Sequence, residues 1–174
     1  VPWYNMDRPI KEYAEQGGIV MLIKQLSIFV ENKAGRLAEI TEIIAKAGID
    51  IRALSIADTT NFGILRLIVD KPDEAEKALK DAGLTVSLTN VIAIGIPDKP
   101  GGFSSAMKCL ADAGMGIEYM YAFTFKHGRE AVLVFRFDQP ERAIEALRKA
   151  GRDVLSSVEL FREAGSVAAG GDPA

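Results

Sequence analysis

The chain repeats itself, and that limits what it can fold into more than any other property. Asn32-Lys33-Ala34-Gly35 lies between an apolar, strand-like run and an amphipathic, helix-like run, and sixty-six positions later Asp98-Lys99-Pro100-Gly101 occupies the same place. After the first turn Leu37, Ile40, Ile44 and Ala47 recur at three- and four-residue steps; after the second, Phe103, Ala106, Met107 and Leu110 form the matching stripe. Further on, Pro72, Ala75, Ala78, Leu79 and Gly83 are answered by Pro140, Ala143, Ala146, Leu147 and Gly151, the offset having grown to sixty-eight across the turn at Lys126-His127-Gly128-Arg129. A period of this size means two copies of one supersecondary unit. A unit of about 70 residues has a marginal core of its own, so the copies are expected to pack on each other or on a second chain.

Within the first copy the order of elements is legible. Met21 to Glu31 carries Leu22, Leu26, Ile28 and Val30 on one phase of a period of two, which predicts a strand. A helix follows from Arg36, with Arg36, Glu39, Glu42 and Lys46 opposite the apolar stripe and Gly48 placed to end it in a left-handed conformation. Ile49 to Ala57 and Phe62 to Val69, joined by Asp58-Thr59-Thr60-Asn61, predict an antiparallel hairpin. Pro72, followed by Asp73 and Glu74, opens a second helix, and Leu84 to Leu88 closes the unit as a fourth strand. The second copy repeats the order with strands at Val91 to Ile96, Met115 to Phe125, Ala131 to Phe137 and Val154 to Leu160. The expected division is a first domain over 21–88, a second over 89–162, an N-terminal extension over 1–20 and a frayed, Gly- and Ala-rich tail over 163–174. Val1 implies a trimmed or engineered start, with Met21 as the natural one; a short helix over Asp7 to Gln16 and docking of Trp3 or Tyr4 on the body are the expectations for the extension.

A strand-helix-strand unit in one sheet crosses over right-handed, so two interleaved units give an α+β, ferredoxin-like βαββαβ fold, twice over, each an antiparallel sheet with both helices on one face. The other face is bare within one unit, yet Ile64, Leu65, Leu67, Ile68 and Val69 are apolar on both phases. Such a strand expects cover on both sides. The bare faces or edge strands are therefore expected to meet, between the units or in a dimer.

Composition excludes several classes. Lys and Arg number 21 against 24 Asp and Glu, which gives no reason to expect nucleic acid or an anionic membrane as partner, and no apolar run reaches the roughly 18 residues of a membrane helix. One cysteine and one histidine permit no internal disulfide and too few soft ligands for structural zinc; a reducing cytoplasm is the expected setting. Neither a P-loop nor a dinucleotide fingerprint is present, and no cofactor or metal is expected.

The stretches SIFVENKAGRLAEITEIIAKAGIDIRAL and AIGIPDKPGGFSSAMKCLADAGMGIEYM resemble the first strand, ligand loop, helix and second strand of the ACT domains, small ferredoxin-like amino-acid-sensing modules, here in tandem over about Met21 to Arg162. The resemblance implies a non-catalytic regulatory module that binds a free amino acid or related carboxylate at the interface between domains. A homodimer is expected, and the alternative is a regulatory subunit that docks on an enzyme of amino-acid metabolism with little or no ligand binding.

On that reading the candidate ligand residues are Asn32, Lys33, Ala34, Gly35, Arg36 and Leu37 in the first copy, and Asp98, Lys99, Pro100, Gly101, Gly102 and Phe103 in the second. A helix N-terminus offers unpaired N–H groups to a carboxylate, glycine at 35, 101 and 102 keeps side chains out of the approach, and Asp98 or the Asn32 amide oxygen is the candidate acceptor for an ammonium group. Asp50 with Ile51, and Gly116 with Ile117, are expected beside the loops. A charge at a helix end contributes about 0.3–1 kcal/mol, up to roughly 2 when partly buried, whereas micromolar binding requires about 8 kcal/mol; most of the affinity has to come from apolar contacts near Leu37 or Phe103 and from a surface across an interface. Asn32 and Asp98 as helix caps, with the glycines as mere turn residues, is the plain structural alternative. Because Asn32 is neutral and Asp98 charged, the two sites are expected to differ in affinity, and a branched residue at Gly101 is expected to harm ligand response more than the fold.

Other residues point away from chemistry. His127 sits alone in a hairpin turn, Cys109 lacks a basic neighbour at helical spacing, and Ser104 and Ser105 have no base partner or nucleophile elbow. Tyr119, Tyr121 and Phe123 alternate as strand residues do and belong to an interface or core. An RNA-recognition reading needs stacking aromatics where Ile64 and Leu65 stand, and an acylphosphatase reading needs a loop arginine that Gly102 replaces in the second copy.

Overall fold

The computed structural model describes residues 22–58, 61–127 and 130–162. The expectations for residues 1–20, for the centres of both hairpin turns and for the tail beyond Arg162 lie outside the described residues. In chain order the elements are β1 (Leu22–Glu31), α1 (Arg36–Lys46), β2 (Ile51–Asp58), β3 (Phe62–Val69), α2 (Pro72–Asp81), β4 (Val86–Pro97), α3 (Gly102–Asp112), β5 (Tyr119–His127), β6 (Glu130–Arg136), α4 (Pro140–Lys149), β7 (Val154–Leu155) and α5 (Ser157–Arg162). The helix boundaries follow local chemistry. Pro72 and Pro140 stand in the first turns of α2 and α4, where a missing N–H costs nothing, and Gly48 takes the expected left-handed conformation beyond α1, φ 67°.

The strands form one sheet in the order β2-β3-β1-β4-β6-β5, with β7 also on β4. Each half has the ferredoxin-like order: β4-β1-β3-β2 for the first unit and β7-β4-β6-β5 for the second. β4 serves both. Its first half pairs with β1, Val86 opposite Ile28 and Ile92 opposite Leu22, and its second half pairs with β6 and β7.

That sharing corrects the sequence expectation of two strands, Leu84 to Leu88 and Val91 to Ile96. Thr89 and Asn90 resemble a polar linker, but Thr89 lies opposite Gln25 and Asn90 opposite Lys24 in an unbroken ladder. The Asn90 carbonyl also accepts from Arg136 Nη1 at 3.0 Å. Backbone pairing to β1 carries the strand straight through this polar pair. The expected boundary between 88 and 89 falls inside this strand. The last strand is also shorter than expected: β7 covers only Val154–Leu155, and a six-residue helix follows. The cause is a capping box. Ser156 N and Oγ both donate to Glu159 Oε2 at 2.7 Å, and Glu159 N donates back to Ser156 Oγ at 3.3 Å.

Three cores result. Leu26, Ile28, Leu65 and Leu67 pack under α1 and α2 with Ile40, Ile44 and Leu79; Ile92, Ile94, Phe135 and Phe137 pack under α3 and α4 with Leu110 and Leu147. Even-numbered residues of β4 feed both, Val86 and Leu88 the first and Ile92, Ile94 and Ile96 the second. The third core joins the bare faces: Ile23, Ala53 and Ile68 from the first unit meet Val91, Phe123, Val132 and Val134, with Leu160 of α5 packed among them. β2 and β5, at opposite ends of the strand order, contact each other. The sheet therefore curls until its own bare faces meet, within one chain.

A polar network crosses that third core. Gln25 is fully buried; its amide nitrogen donates to Ser27 Oγ at 3.0 Å and Tyr119 OH at 2.8 Å, and its oxygen accepts from Tyr121 OH at 2.8 Å. The Arg66 guanidinium carbon lies 4.0 Å from the centre of the Tyr119 ring, a cation–π contact between the units. Burial, with Tyr119 alongside, pushes the Tyr121 hydroxyl well above its ordinary pKa, and the Arg66 charge opposes this. The tyrosine stripe expected to be interface or core is both.

Candidate functional site

The two turns are built alike, atom for atom. Lys33 N donates to Glu31 O at 2.8 Å and Arg36 N to Lys33 O at 3.1 Å; in the second copy Lys99 N donates to Pro97 O at 2.9 Å and Gly102 N to Lys99 O at 3.0 Å. Gly35 and Gly101 immediately precede their helices with the same backbone, φ 85°, a conformation that costs a residue with a Cβ about 1–2 kcal/mol. Each helix then closes its first bond, Glu39 N to Gly35 O at 3.0 Å and Ser105 N to Gly101 O at 2.9 Å.

Between those bonds lie two amides per turn, Leu37 and Ala38 in one and Phe103 and Ser104 in the other, that have no acceptor among the described residues. Beside each pair stands a large apolar side chain half in solvent, Leu37 at 46% exposure and Phe103 at 45%. Unpaired donors at the positive end of a helix, next to exposed apolar surface, can receive a small anion that carries a side chain.

Neither helix has a side-chain cap, so Asn32 and Asp98 do not cap their helices; both are exposed, as are Lys33, Ala34, Lys99 and Pro100. Asn32 N donates to Asn61 O at 2.9 Å, tying the turn to the β2–β3 hairpin. Arg36 is held by Glu39 at 2.7 Å. Gly102 has a different role from Gly101. It is buried, and a Cβ there would stand 2.1 Å from the carbonyl oxygen of Pro97, so its missing side chain accommodates the chain's own backbone.

Four sequence candidates do not join the turns. β2 runs parallel to β1 with β3 between them, Ile51 lying opposite Val69 while Phe62 lies opposite Glu31. Asp50 and Ile51 are therefore at the far end of the sheet, a helix length of about 16 Å from the Asn32–Leu37 turn. There Asp50 pairs with Arg52 at 3.1 Å, its N–H donates to Asp70 Oδ1 at 2.9 Å, and Ile51 packs on the first core. Gly116 and Ile117 are displaced in the same way: they precede Tyr119, which lies opposite Arg136, whereas the Asp98–Phe103 turn adjoins Glu130 opposite Pro97. The residues that do border the turns are Asn61, Phe62 and Glu130. The hairpin register was the signal that identifies them.

The turns also stand apart from each other. β1 enters the first turn beyond Val86, and β4 enters the second beyond Pro97, so the whole of β4, about 40 Å of strand, lies between them. Within one chain the two turns are therefore separate. A groove of about 650 Å³ lies elsewhere, on the surface of α3 and α4. Among the described residues no cluster of His, Cys, Asp and Glu has the makings of a metal site, and no helix is long and apolar enough to cross a membrane. Cys109 is partly buried, its Sγ 4.0 Å from Ala146 O.

A family model described as an ACT domain pair matches residues 21–162. A crystal structure of a protein from Bacteroides thetaiotaomicron is 44% identical, with 82% of this chain and 97% of that one covered and a TM-score of 0.76. The ligand-free regulatory subunit of aspartate kinase from Thermus thermophilus is 18% identical, with 76% and 97% covered and a TM-score of 0.56, a likeness of fold. The corresponding subunit from Thermus flavus is 17% identical, covering 74% and 92%, with a TM-score of 0.52. No curated protein matches the chain.

Proposed function

Because this chain belongs to the ACT domain pair family, whose fold it shares with the regulatory subunits of two Thermus aspartate kinases, we propose that it is a non-catalytic sensor of a free amino acid or closely related carboxylate. The carboxylate sits on the free amides of Leu37 and Ala38, or of Phe103 and Ser104. The ligand's side chain lies against Leu37 or Phe103, and a surface from a partner chain completes the pocket. One observation carries this reading: at both turns a left-handed glycine sets two unpaired amides beside a half-exposed apolar side chain. The separation of the turns supports the role of a partner, since neither can lend the other its missing wall.

The two pockets differ in chemistry. Asp98 places a carboxylate at the mouth of the second, where Asn32 stands in the first, which favours a ligand ammonium at the second turn. Thermal unfolding with the twenty amino acids and with branched and aromatic acids tests the proposal. A ligand at a hundred times its Kd adds about 2.7 kcal/mol, which for a chain of this size raises Tm by roughly 5–11 °C. No rise with any member of the panel overturns it.

A second reading, a subunit docking on an enzyme, draws on the apolar surface that runs on from the first turn. Phe29 and Phe62 stack in the open, ring centroids 5.0 Å apart, beside exposed Ile64 on the uncovered end of the bare face. A stoichiometric enzyme partner released by Phe29→Ser, with no response to any amino acid, favours that reading over the first.

A further inference from the structure

The groove on α3 and α4 has a floor of small side chains, Cys109, Ala113 and Ala146, and a rim of five charged residues: Lys108, Asp112, Arg142, Glu145 and Lys149. The internal repeat supplies a control for each. The positions matching them on α1 and α2 are Glu42, Lys46, Glu74, Lys77 and Asp81. At all five the sign is reversed. Of the helix positions charged in both copies, the two outside the groove keep their sign, Asp73 matching Glu141 and Lys80 matching Arg148, so the reversal is confined to one surface.

Helix stability does not account for it. Four of the five sites form i,i+4 ion pairs in both units: Glu42 with Lys46, Lys77 with Asp81, Lys108 with Asp112 and Glu145 with Lys149. An acid preceding a base suits the helix dipole better than the reverse, and that preference would set the same order in every helix. Instead α2 and α3 carry the unfavourable order, Lys77 before Asp81 and Lys108 before Asp112. Each unit gives up a little helix stability to hold a pattern opposite to its sister's. Both patterns are exposed, so their consequence falls on whatever meets these faces.

We infer that the α3/α4 face of one molecule docks on the α1/α2 face of a second copy of this chain. The α1/α2 face presents three acids and two bases, the α3/α4 face three bases and two acids, on the same helical framework. A contact between two different faces is heterologous, closing into a pair or small ring where the rotation allows, and the excess of acids on one face and of bases on the other favours this pairing over contacts between like faces. The inference is independent of any ligand at the turns.

The test uses the full chain and two charge-reversed variants. One carries Lys108→Glu, Asp112→Lys, Arg142→Glu, Glu145→Lys and Lys149→Asp; the other carries Glu42→Lys, Lys46→Asp, Glu74→Arg, Lys77→Glu and Asp81→Lys. Both keep every i,i+4 pair, and circular dichroism checks that they fold. By sedimentation equilibrium the unmodified chain associates, with an affinity that weakens as salt rises. Each variant alone associates about tenfold more weakly or worse, and an equimolar mixture of the two associates as the unmodified chain does. An unmodified chain that stays monomeric up to about 100 µM, whose Kd corresponds to only about 5 kcal/mol, overturns the inference. So does either variant associating alone as strongly as the unmodified chain, which contact through another face or between two α3/α4 faces produces, and so does a mixture that stays monomeric.

Discussion

Gln25→Leu removes the hub of the polar network between the units while keeping roughly its volume. Three hydrogen bonds end at that side chain, to Ser27, Tyr119 and Tyr121, in a position with no solvent exposure. Each is worth about 1 kcal/mol net. The Tyr121 hydroxyl loses its acceptor within a buried site, for which the desolvation cost is about 1–3 kcal/mol, and the gain from an apolar side chain offsets part of the total. The expected loss is about 2–4 kcal/mol, which for a chain of this size lowers Tm by roughly 4–16 °C. Urea denaturation followed by tyrosine fluorescence and far-ultraviolet circular dichroism measures it, and the two signals move to the lower midpoint together, because the third core couples both units. Adding Tyr121→Phe recovers about 1 kcal/mol or more, since the stranded hydroxyl is gone. A loss under about 0.5 kcal/mol, or one signal shifting without the other, refutes the claim that the bare faces of the two units form one core around this residue.

Three other outcomes follow from particular contacts. Gly102→Ala drives a Cβ into the Pro97 carbonyl and costs about 1–3 kcal/mol, seen as a lower midpoint in urea, whereas Lys99→Ala at the same turn leaves the midpoint unchanged. Ser156→Ala removes one half of the capping box and costs about 1 kcal/mol; amide exchange quickens across α5, and Leu160 loosens in the third core. For Tyr121 the folded-state pKa is raised above the ordinary 10.0, so the unfolded chain loses this proton first. Stability is then full below pH 10 and falls by about 1.4 kcal/mol per pH unit above it. Unfolding measured from pH 8 to 11 shows that decline in the unmodified chain and a shallower one in Tyr121→Phe.

Much of this architecture is readable in the sequence because the repeat checks each element against its copy. The four helices that cover the sheet, both hairpins and the double ferredoxin-like order follow from stripes such as Leu37-Ile40-Ile44 and from Pro72 and Pro140. The misses have separate causes. Thr89 and Asn90 are polar in sequence but sit inside β4 because Gln25 and Lys24 pair with them. Val154 to Leu160 alternates like a strand, yet Ser156 and Glu159 end it by capping a helix, a signal the sequence does contain. At the candidate site the turns and their glycines were legible. The placement of Asp50, Ile51, Gly116 and Ile117 was not, because the entry to a strand parallel to β1 lies at the opposite end of the sheet from the exit of β1. The φ of 85° at Gly101 also means that a branched residue there strains the backbone.

The account rests on the free amides at the two turns. ¹H–¹⁵N correlation spectra of the chain, titrated with whichever amino acid most raises Tm, read those amides directly. The account predicts saturable shifts at Leu37 and Ala38, at Phe103 and Ser104, or at both pairs, well above any change at Asp50, Ile51, Gly116 and Ile117. Saturable shifts confined to other residues, with all four turn amides unmoved, would contradict it.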